Sequence, residues 1–311
     1  MNKNSYQVLV IGPNPALDVV LETPTFVSGA VNRATRALHL AGGKPIIAAR
    51  TLRRLGIAVR VVSPLGGDTG PRRVIVDACR SLGIELRVCE VREETRICVI
   101  VADPESGESS VVNEPGPCLS LSEAANYTRM VEEALTSTRL VLTSGSLPPG
   151  LDPDFYAQVA RRARQAEVPA IVDTSGEPLR LALEAGPWCV KVNRHELLSV
   201  VGGLSVAEAA RQLAARVEHV VVTLGAEGAL YAGSEGMFRL VPAPMPVTNA
   251  TGAGDAFLAG LAAELVQETS WLHALRTATA ISALVCDRIE PDIGPDPDVG
   301  AMLETVRTMP A

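Results

Sequence analysis

Short unbroken apolar runs alternate with amphipathic stretches along most of this chain, and turn residues separate them. Val8 to Ile11 reads as a strand closed by the turn Gly12-Pro13-Asn14-Pro15. Ile46 to Leu55 has helical periodicity and stops at Gly56, a C-terminal cap, before a second strand at Val59 to Val62. Pro71 holds a favoured first helical position in a helix that ends at Gly83. Ser120 with Glu123 has capping-box spacing and opens a helix through about Leu135, and Ser205 with Glu208 repeats the device. Further strands are expected at Leu140–Leu142, Ala170–Val172, Cys189–Val192 and His219–Thr223, with helices from Asp152 and near Pro178 to Ala185 between them. Regular alternation with continuously apolar strands predicts an α/β fold, a three-layer α/β/α body around a mostly parallel sheet.

Two stretches break this rhythm. Residues 16–38 and 86–113 alternate apolar and polar side chains, as in Arg96-Ile97-Cys98-Val99-Ile100-Val101, and the second carries a Pro/Gly turn at Asp103 to Gly107. Such alternation predicts half-exposed antiparallel strands. Both stretches interrupt a body made of residues 1–15, 39–85 and 114–311, so they are expected to form one small inserted β-lid at its edge. Exposed strand edges there invite pairing with a second copy, and a homodimer through the lid is expected.

Composition narrows the classes. Of 311 residues, 47% are hydrophobic and only 3% aromatic, so a large core must be built from Val, Leu, Ile and Ala. A net charge of −7 argues against a general nucleic-acid or anionic-membrane binder, and any positive potential must be local. The six cysteines are scattered, without a C-x-x-C pair, and are read as reduced thiols. No apolar run approaches the roughly eighteen residues of a membrane span, and the N-terminus enters Val8-Leu9-Val10-Ile11 without a signal-peptide core. A cytoplasmic protein is expected.

The segment with most chemistry is Asn249 to Gly260, where a glycine turn opens directly into an apolar helix. The turn sets Asp255 at the positive end of that helix, beside the amides of Gly252, Ala253 and Gly254. Such an end is a ready anion site, and an acid next to it can take a proton while the amides hold a phosphate. An Asp in a first turn can also simply complement the helix dipole, so this segment alone leaves both readings open. Other polar clusters fall at strand ends, where ligands of open α/β sheets bind: Asn14 and Asp18, Gly42-Gly43-Lys44, and Ser144-Gly145-Ser146. Competing motifs are missing. Gly43-Lys44 is followed by Pro45 instead of Ser or Thr, no G-x-G-x-x-G follows the first strand, and His195-Glu196 meets Ser199 where a zinc helix needs His.

In order along the chain stand Asn14-Pro15-Ala16-Leu17-Asp18, Gly42-Gly43-Lys44, Leu65-Gly66-Gly67-Asp68, Asn113-Glu114-Pro115-Gly116, Ser144 through Gly150, Asp173-Thr174-Ser175-Gly176, Lys191-Val192-Asn193-Arg194-His195-Glu196, Thr223-Leu224-Gly225-Ala226-Glu227-Gly228 and Thr251 through Asp255. With these motifs the chain resembles the ribokinase/PfkB carbohydrate kinase family over nearly its whole length. It is most similar to the branch acting on sugar phosphates, the fructose-1-phosphate and tagatose-6-phosphate kinases. The resemblance implies a ribokinase-like fold, ATP and Mg²⁺ as cofactors, and a general base at Asp255. It further implies that Asn14, Asp18, Gly42, Gly43 and Ser144 hold the sugar, while Arg96 and Lys44 meet its phosphate. Lys191, Asn193, Thr223, Gly225, Gly228 and Thr251 would bind the nucleotide, and Asn193 with Glu196 would act on Mg²⁺ through water. The chain departs at Pro45 and Ile47, where the family reads Gly and Asn. Ile47 cannot donate a hydrogen bond, which implies a different hydroxyl pattern in the acceptor. Two other readings stand beside a sugar-phosphate kinase: a kinase of an unphosphorylated sugar or sugar-like compound, and a non-catalytic sugar or nucleotide sensor.

Overall fold

A computed structural model describes residues 6–311 apart from residues 69, 104 and 107, so two residues of the turn expected at Asp103 to Gly107 lie outside the described residues. The chain begins with β1 (Tyr6–Ile11), β2 (Ala16–Glu22) and β3 (Arg36–Gly42), followed by α1 (Lys44–Arg54), β4 (Val59–Gly66) and α2 (Gly70–Ser81). Next come β5 (Glu85–Val91), β6 (Arg96–Asp103), β7 (Glu108–Asn113), α3 (Leu121–Leu135), β8 (Thr138–Ser144) and α4 (Phe155–Gln165). The middle of the chain forms β9 (Ala170–Asp173), α5 (Gly176–Glu184), β10 (Cys189–Asn193), α6 (Arg194–Val200), α7 (Val206–Leu213) and β11 (His219–Thr223). It closes with β12 (Ala229–Gly233), β13 (Gly236–Val241), α8 (Ala253–Leu265), α9 (Trp271–Cys286), α10 (Val299–Thr305) and β14 (Arg307–Pro310).

The large sheet has the order β14-β13-β12-β11-β10-β9-β8-β1-β4-β5. Pairing is parallel from β11 through β5, and β12, β13 and β14 extend the other edge antiparallel. Alternate residues of β1 show why its sequence is apolar throughout. Val8 and Val10 share a core with α1, α8 and α9, while Leu9 and Ile11 pack with Tyr127 of α3 and Phe155 of α4. Both faces are covered, which is the expected three-layer body. The two capping boxes form as expected at Ser120/Glu123 and Ser205/Glu208. The helix expected from Asp152 begins at Phe155.

A second sheet has the order β3-β2-β6-β7. It consists of two antiparallel pairs, β2–β3 and β6–β7, joined by a parallel pairing of β2 with β6. Its first segment runs through Gly42, beyond the expected bound at residue 38, its second starts at Arg96, and residues 86–91 do not belong to it. Those residues lie in β5, the edge strand of the large sheet, parallel to β4. The alternation there has a different cause: β5 is an edge strand, so its polar residues reach solvent although it belongs to the body. Arg60 of β4 pairs with Glu85 at its start at 2.9 Å.

The C-terminal ends of the parallel strands supply the surface on which a site can form. Register holds Ser144 opposite Asp173 and Asn193 opposite Thr223. Helix α8 enters this edge with its N-terminus and is buried along Asp255 to Ala263. It lies against α9 through Gly260, where a Cβ would stand 2.8 Å from Ile281 Cδ1 and 3.1 Å from Ala278 Cα. Gly260→Leu should therefore separate α8 from α9 and destabilise the protein by about 1–3 kcal/mol. Urea unfolding checks this, and an unchanged midpoint would show that the helices do not meet at this glycine.

Candidate active site

Asp173 ends β9 with a fully buried carboxylate that receives two ammonium groups, Lys191 Nζ at 3.0 Å and Lys44 Nζ at 3.3 Å. Lys191 comes from the neighbouring strand β10 and Lys44 from the first residue of α1. Burial alone would raise the Asp173 pKa, but the two lysines outweigh it and hold the carboxyl below its ordinary value. Reciprocally, Asp173 pushes the Lys44 pKa up. Asp173 stood in a motif but was assigned no role from the sequence. The available signal was an acid directly after the apolar run Ala170-Ile171-Val172, at a strand end like the other clusters.

Asp255 lies in the first turn of α8, 7% exposed, and its carboxyl is pushed up to about 7. Burial is the main cause, with Lys44 and Lys191 pulling the value down and Asp173 and Asp18 pushing it up. The preceding turn needs glycine: Gly252 is the N-cap with φ 83°, a left-handed conformation that L side chains adopt rarely. Of the three amides expected to face an anion, that of Ala253 donates to Ala250 O at 3.3 Å. Among the described residues no protein acceptor engages the amides of Gly252 and Gly254. Lys191 Nζ lies 3.1 Å from where a Gly254 Cβ would stand, so the missing side chain leaves the ammonium facing the helix end. Thr251 donates its amide to Asn249 Oδ1 at 2.9 Å.

On the other side of this centre Asp18 is buried, and its carboxyl is pushed up to about 6 by burial, against the Gly43 amide, Arg50 and Arg96. Gly43 N donates to Asp18 Oδ2 at 3.3 Å, and a Cβ on Gly42 would fall 1.9 Å from the same oxygen. Asn14 donates to Pro115 O at 2.9 Å and to Ser146 Oγ at 3.2 Å. Asn14 Oδ1 and Ser144 Oγ are buried without a hydrogen-bond partner among the described residues. Buried polar atoms left in this state mark a place where a ligand can complete the bonding.

Three further expected groups lie at the ends of strands or helices. Arg96 gives its guanidinium to two backbone carbonyls, Glu114 O at 3.0 Å and Asn14 O at 2.9 Å. It lines a cavity of about 570 Å³ together with Ser146 and Glu177, and Asp255 does not line that cavity. Asn193 and Glu196 close a capping box at the start of α6: Asn193 Oδ1 accepts from Glu196 N at 2.9 Å, and Glu196 Oε2 accepts from Asn193 N at 2.7 Å. Gly225 (φ 63°) and Gly228 (φ 86°) bound a short 3₁₀ turn after β11, and Thr223 ends that strand. Among the described residues no group of three or more His, Cys, Asp or Glu could hold a metal. Glu196 has one carboxylate oxygen outside the capping box, which fits only a largely hydrated Mg²⁺ carried by phosphates.

The substituted positions are packed. Ile47 is 3% exposed, with methyl carbons 3.4 and 3.5 Å from where a Gly252 Cβ would stand. Pro45 covers Gly12, whose Cβ would meet the Pro45 ring at 2.2 Å.

A family model described as pfkB family carbohydrate kinase matches residues 7–297. The 1-phosphofructokinase of Escherichia coli K12 is 36% identical, over 98% of this chain and 99% of that protein. The ATP-dependent 6-phosphofructokinase isozyme 2 of Mycobacterium tuberculosis H37Rv is 30% identical over 89% of this chain and 83% of its own length. A crystal structure of Escherichia coli phosphofructokinase-2 in complex with substrates and products superposes with a TM-score of 0.88 at 27% identity, covering 96% of this chain and 98% of that one. No described helix is long and apolar enough to cross a membrane.

The Asp255 carboxyl makes stability depend on pH. The folded protein keeps that proton up to about pH 7, whereas an unfolded chain releases it near 3.8. Between these values the folded state binds more protons, so stability falls as pH rises and the penalty is complete above about 7. Asp255→Asn removes the penalty. The variant should melt above the parent at pH 8 and match it near pH 4; a melting difference that does not vary with pH would overturn the assignment.

Proposed function

The chain belongs to the pfkB family of carbohydrate kinases, and on that premise we propose that it transfers the terminal phosphoryl group of ATP to a hydroxyl of a sugar phosphate. The acceptor we infer is of the fructose 1-phosphate or tagatose 6-phosphate type. The observation that carries this reading is the buried Asp255 carboxyl, poised at about 7 beside the unengaged amides of Gly252 and Gly254 and the Lys44–Lys191 pair. A general base works best when its pKa lies near the operating pH.

Asp255 takes the proton of the acceptor hydroxyl as that oxygen bonds to phosphorus and the bond to the departing ADP oxygen breaks. The amides of Gly252 and Gly254 hold charge on the transferring group, and Lys191, aimed at the same helix end by Asp173, adds a positive charge there. Asp18 orients acceptor hydroxyls, with Gly42 allowing close approach. Gly225, Gly228 and Thr223 form the floor for the nucleotide. Mg²⁺, when bound with ATP, neutralises phosphate charge, and Glu196 is the carboxylate available to its water shell.

The hold of two carbonyls on Arg96 favours weighing a second acceptor class, because a guanidinium already satisfied on two sides needs phosphate less. Arg96→Ala should abolish turnover of the phosphorylated acceptor and spare a neutral sugar if it meets the phosphate. Retained turnover of the sugar phosphate would assign Arg96 to holding Asn14 and Glu114 alone.

A copy-to-copy contact through the small sheet is the assembly we propose, in the cytoplasm where ATP is supplied. Val31 is 81% and Val112 68% exposed, apolar side chains presented by this sheet and its loop. One structure of phosphofructokinase-2 from Escherichia coli is of its tetrameric inhibited form. Light scattering at micromolar concentration should give a dimer that Val31→Glu with Val112→Glu dissociates; a parent monomer would exclude it.

The function itself is tested by ADP release on a panel of phosphorylated and free ketoses. Asp255→Asn should lower kcat by about 10²–10⁴-fold, and parent kcat should rise to a plateau above about pH 7 as Asp255 loses its proton. Equal turnover by parent and variant would exclude Asp255 as the base, and no turnover by the parent on any acceptor would favour the sensor reading.

A further inference from the structure

Asn249, at the start of the turn before α8, is 1% exposed and belongs to no strand or helix. Its side-chain oxygen accepts twice, from Thr251 N at 2.9 Å and from Ser109 Oγ of β7 at 3.2 Å. Its side-chain nitrogen donates to Ile289 O at 2.9 Å, and its backbone N donates to Cys286 O at 3.2 Å. One amide thus joins three parts of the molecule: the small sheet, the turn that ends at Asp255, and the segment after α9. A separate contact ties the same parts. The Ile289 side chain packs against Val20, Ile100 and Ala102 on the apolar face of the small sheet.

From this we infer that Asn249 is a positioning residue that registers the small sheet against the turn carrying the unengaged Gly252 and Gly254 amides. A carboxamide suits this place because one rigid plane carries two acceptor sites and a donor. A displacement of β7 pulls on the Asn249 oxygen, and the same oxygen fixes Thr251 N next to Gly252. The sheet that covers the acceptor side is thereby held at one distance from the turn that would hold the phosphoryl group. The inference rests on the phosphotransfer reading for its catalytic consequence and on the hydrogen bonds alone for its structural one.

Ser109→Ala cuts the link and leaves the other bonds of Asn249 in place, while Ser109→Thr keeps the hydroxyl. In the free protein, amide exchange of residues 249–255 should quicken about fivefold in Ser109→Ala, the equivalent of one neutral hydrogen bond, with β1 unchanged and Ser109→Thr like the parent. In turnover, Ser109→Ala should lower kcat about fivefold at unchanged KM for ATP and release more ADP per acceptor phosphorylated; Ser109→Thr should restore both. Parental exchange in the 249–255 segment of Ser109→Ala would overturn the inference whatever the kinetics. If the parent phosphorylates no acceptor, the phosphotransfer reading fails and the exchange result still decides the link.

Discussion

A buried carboxylate cannot stay ionised in this interior unless cations come to it, and Asp173 brings two. Its position at the end of β9, opposite Ser144 in register, fixes where Lys191 and Lys44 must converge. Removing a partner from such a group leaves an uncompensated buried charge, which is far costlier than the net worth of the pair. The arrangement therefore constrains α1, β9 and β10 together, and it aims Lys191 at the N-terminus of α8.

The charges around that point are set against one another. Asp18 and Asp173 raise the Asp255 pKa while the two lysines lower it, and burial tips the balance upward. Without the lysines the acid would stay protonated further into the alkaline range; without burial it would ionise like a surface Asp and have little driving force to take a proton. The glycines serve the same centre by omission. Gly42 leaves room for the Asp18 carboxylate, and Gly254 leaves Lys191 uncovered. Ile47, pressed on the Gly252 turn, shows an apolar wall where the family pattern has a donor.

Much of this was legible in the chain. Strand–helix alternation is a local signal, and it located the parallel body, both Ser-Glu capping boxes and the glycine turn at 252–254. Residues 86–91 misled because edge exposure and a separate half-exposed sheet write the same alternating pattern. The antiparallel edge β12–β14 was missed because its short strands follow a turn whose pairing partner is set by the sheet already formed. Asn193 and Glu196 carry the spacing of a capping box as well as of the family motif, and the backbone adopted the box. The three amides look equivalent in the sequence, yet the Ala253 amide closes on Ala250 O.

By itself the sequence determined the layer architecture, the location of Asp255 on a glycine-capped helix and the family, since these rest on periodicity, caps and ordered motifs within short windows. Tertiary structure decided the rest. Which lysines reach Asp173, why Arg96 turns to the carbonyls of Asn14 and Glu114, and how Ser109 meets Asn249 all depend on packing between segments up to 140 residues apart. Charge and hydrogen bonding act through space at a few ångströms, and no spacing along the chain encodes that distance.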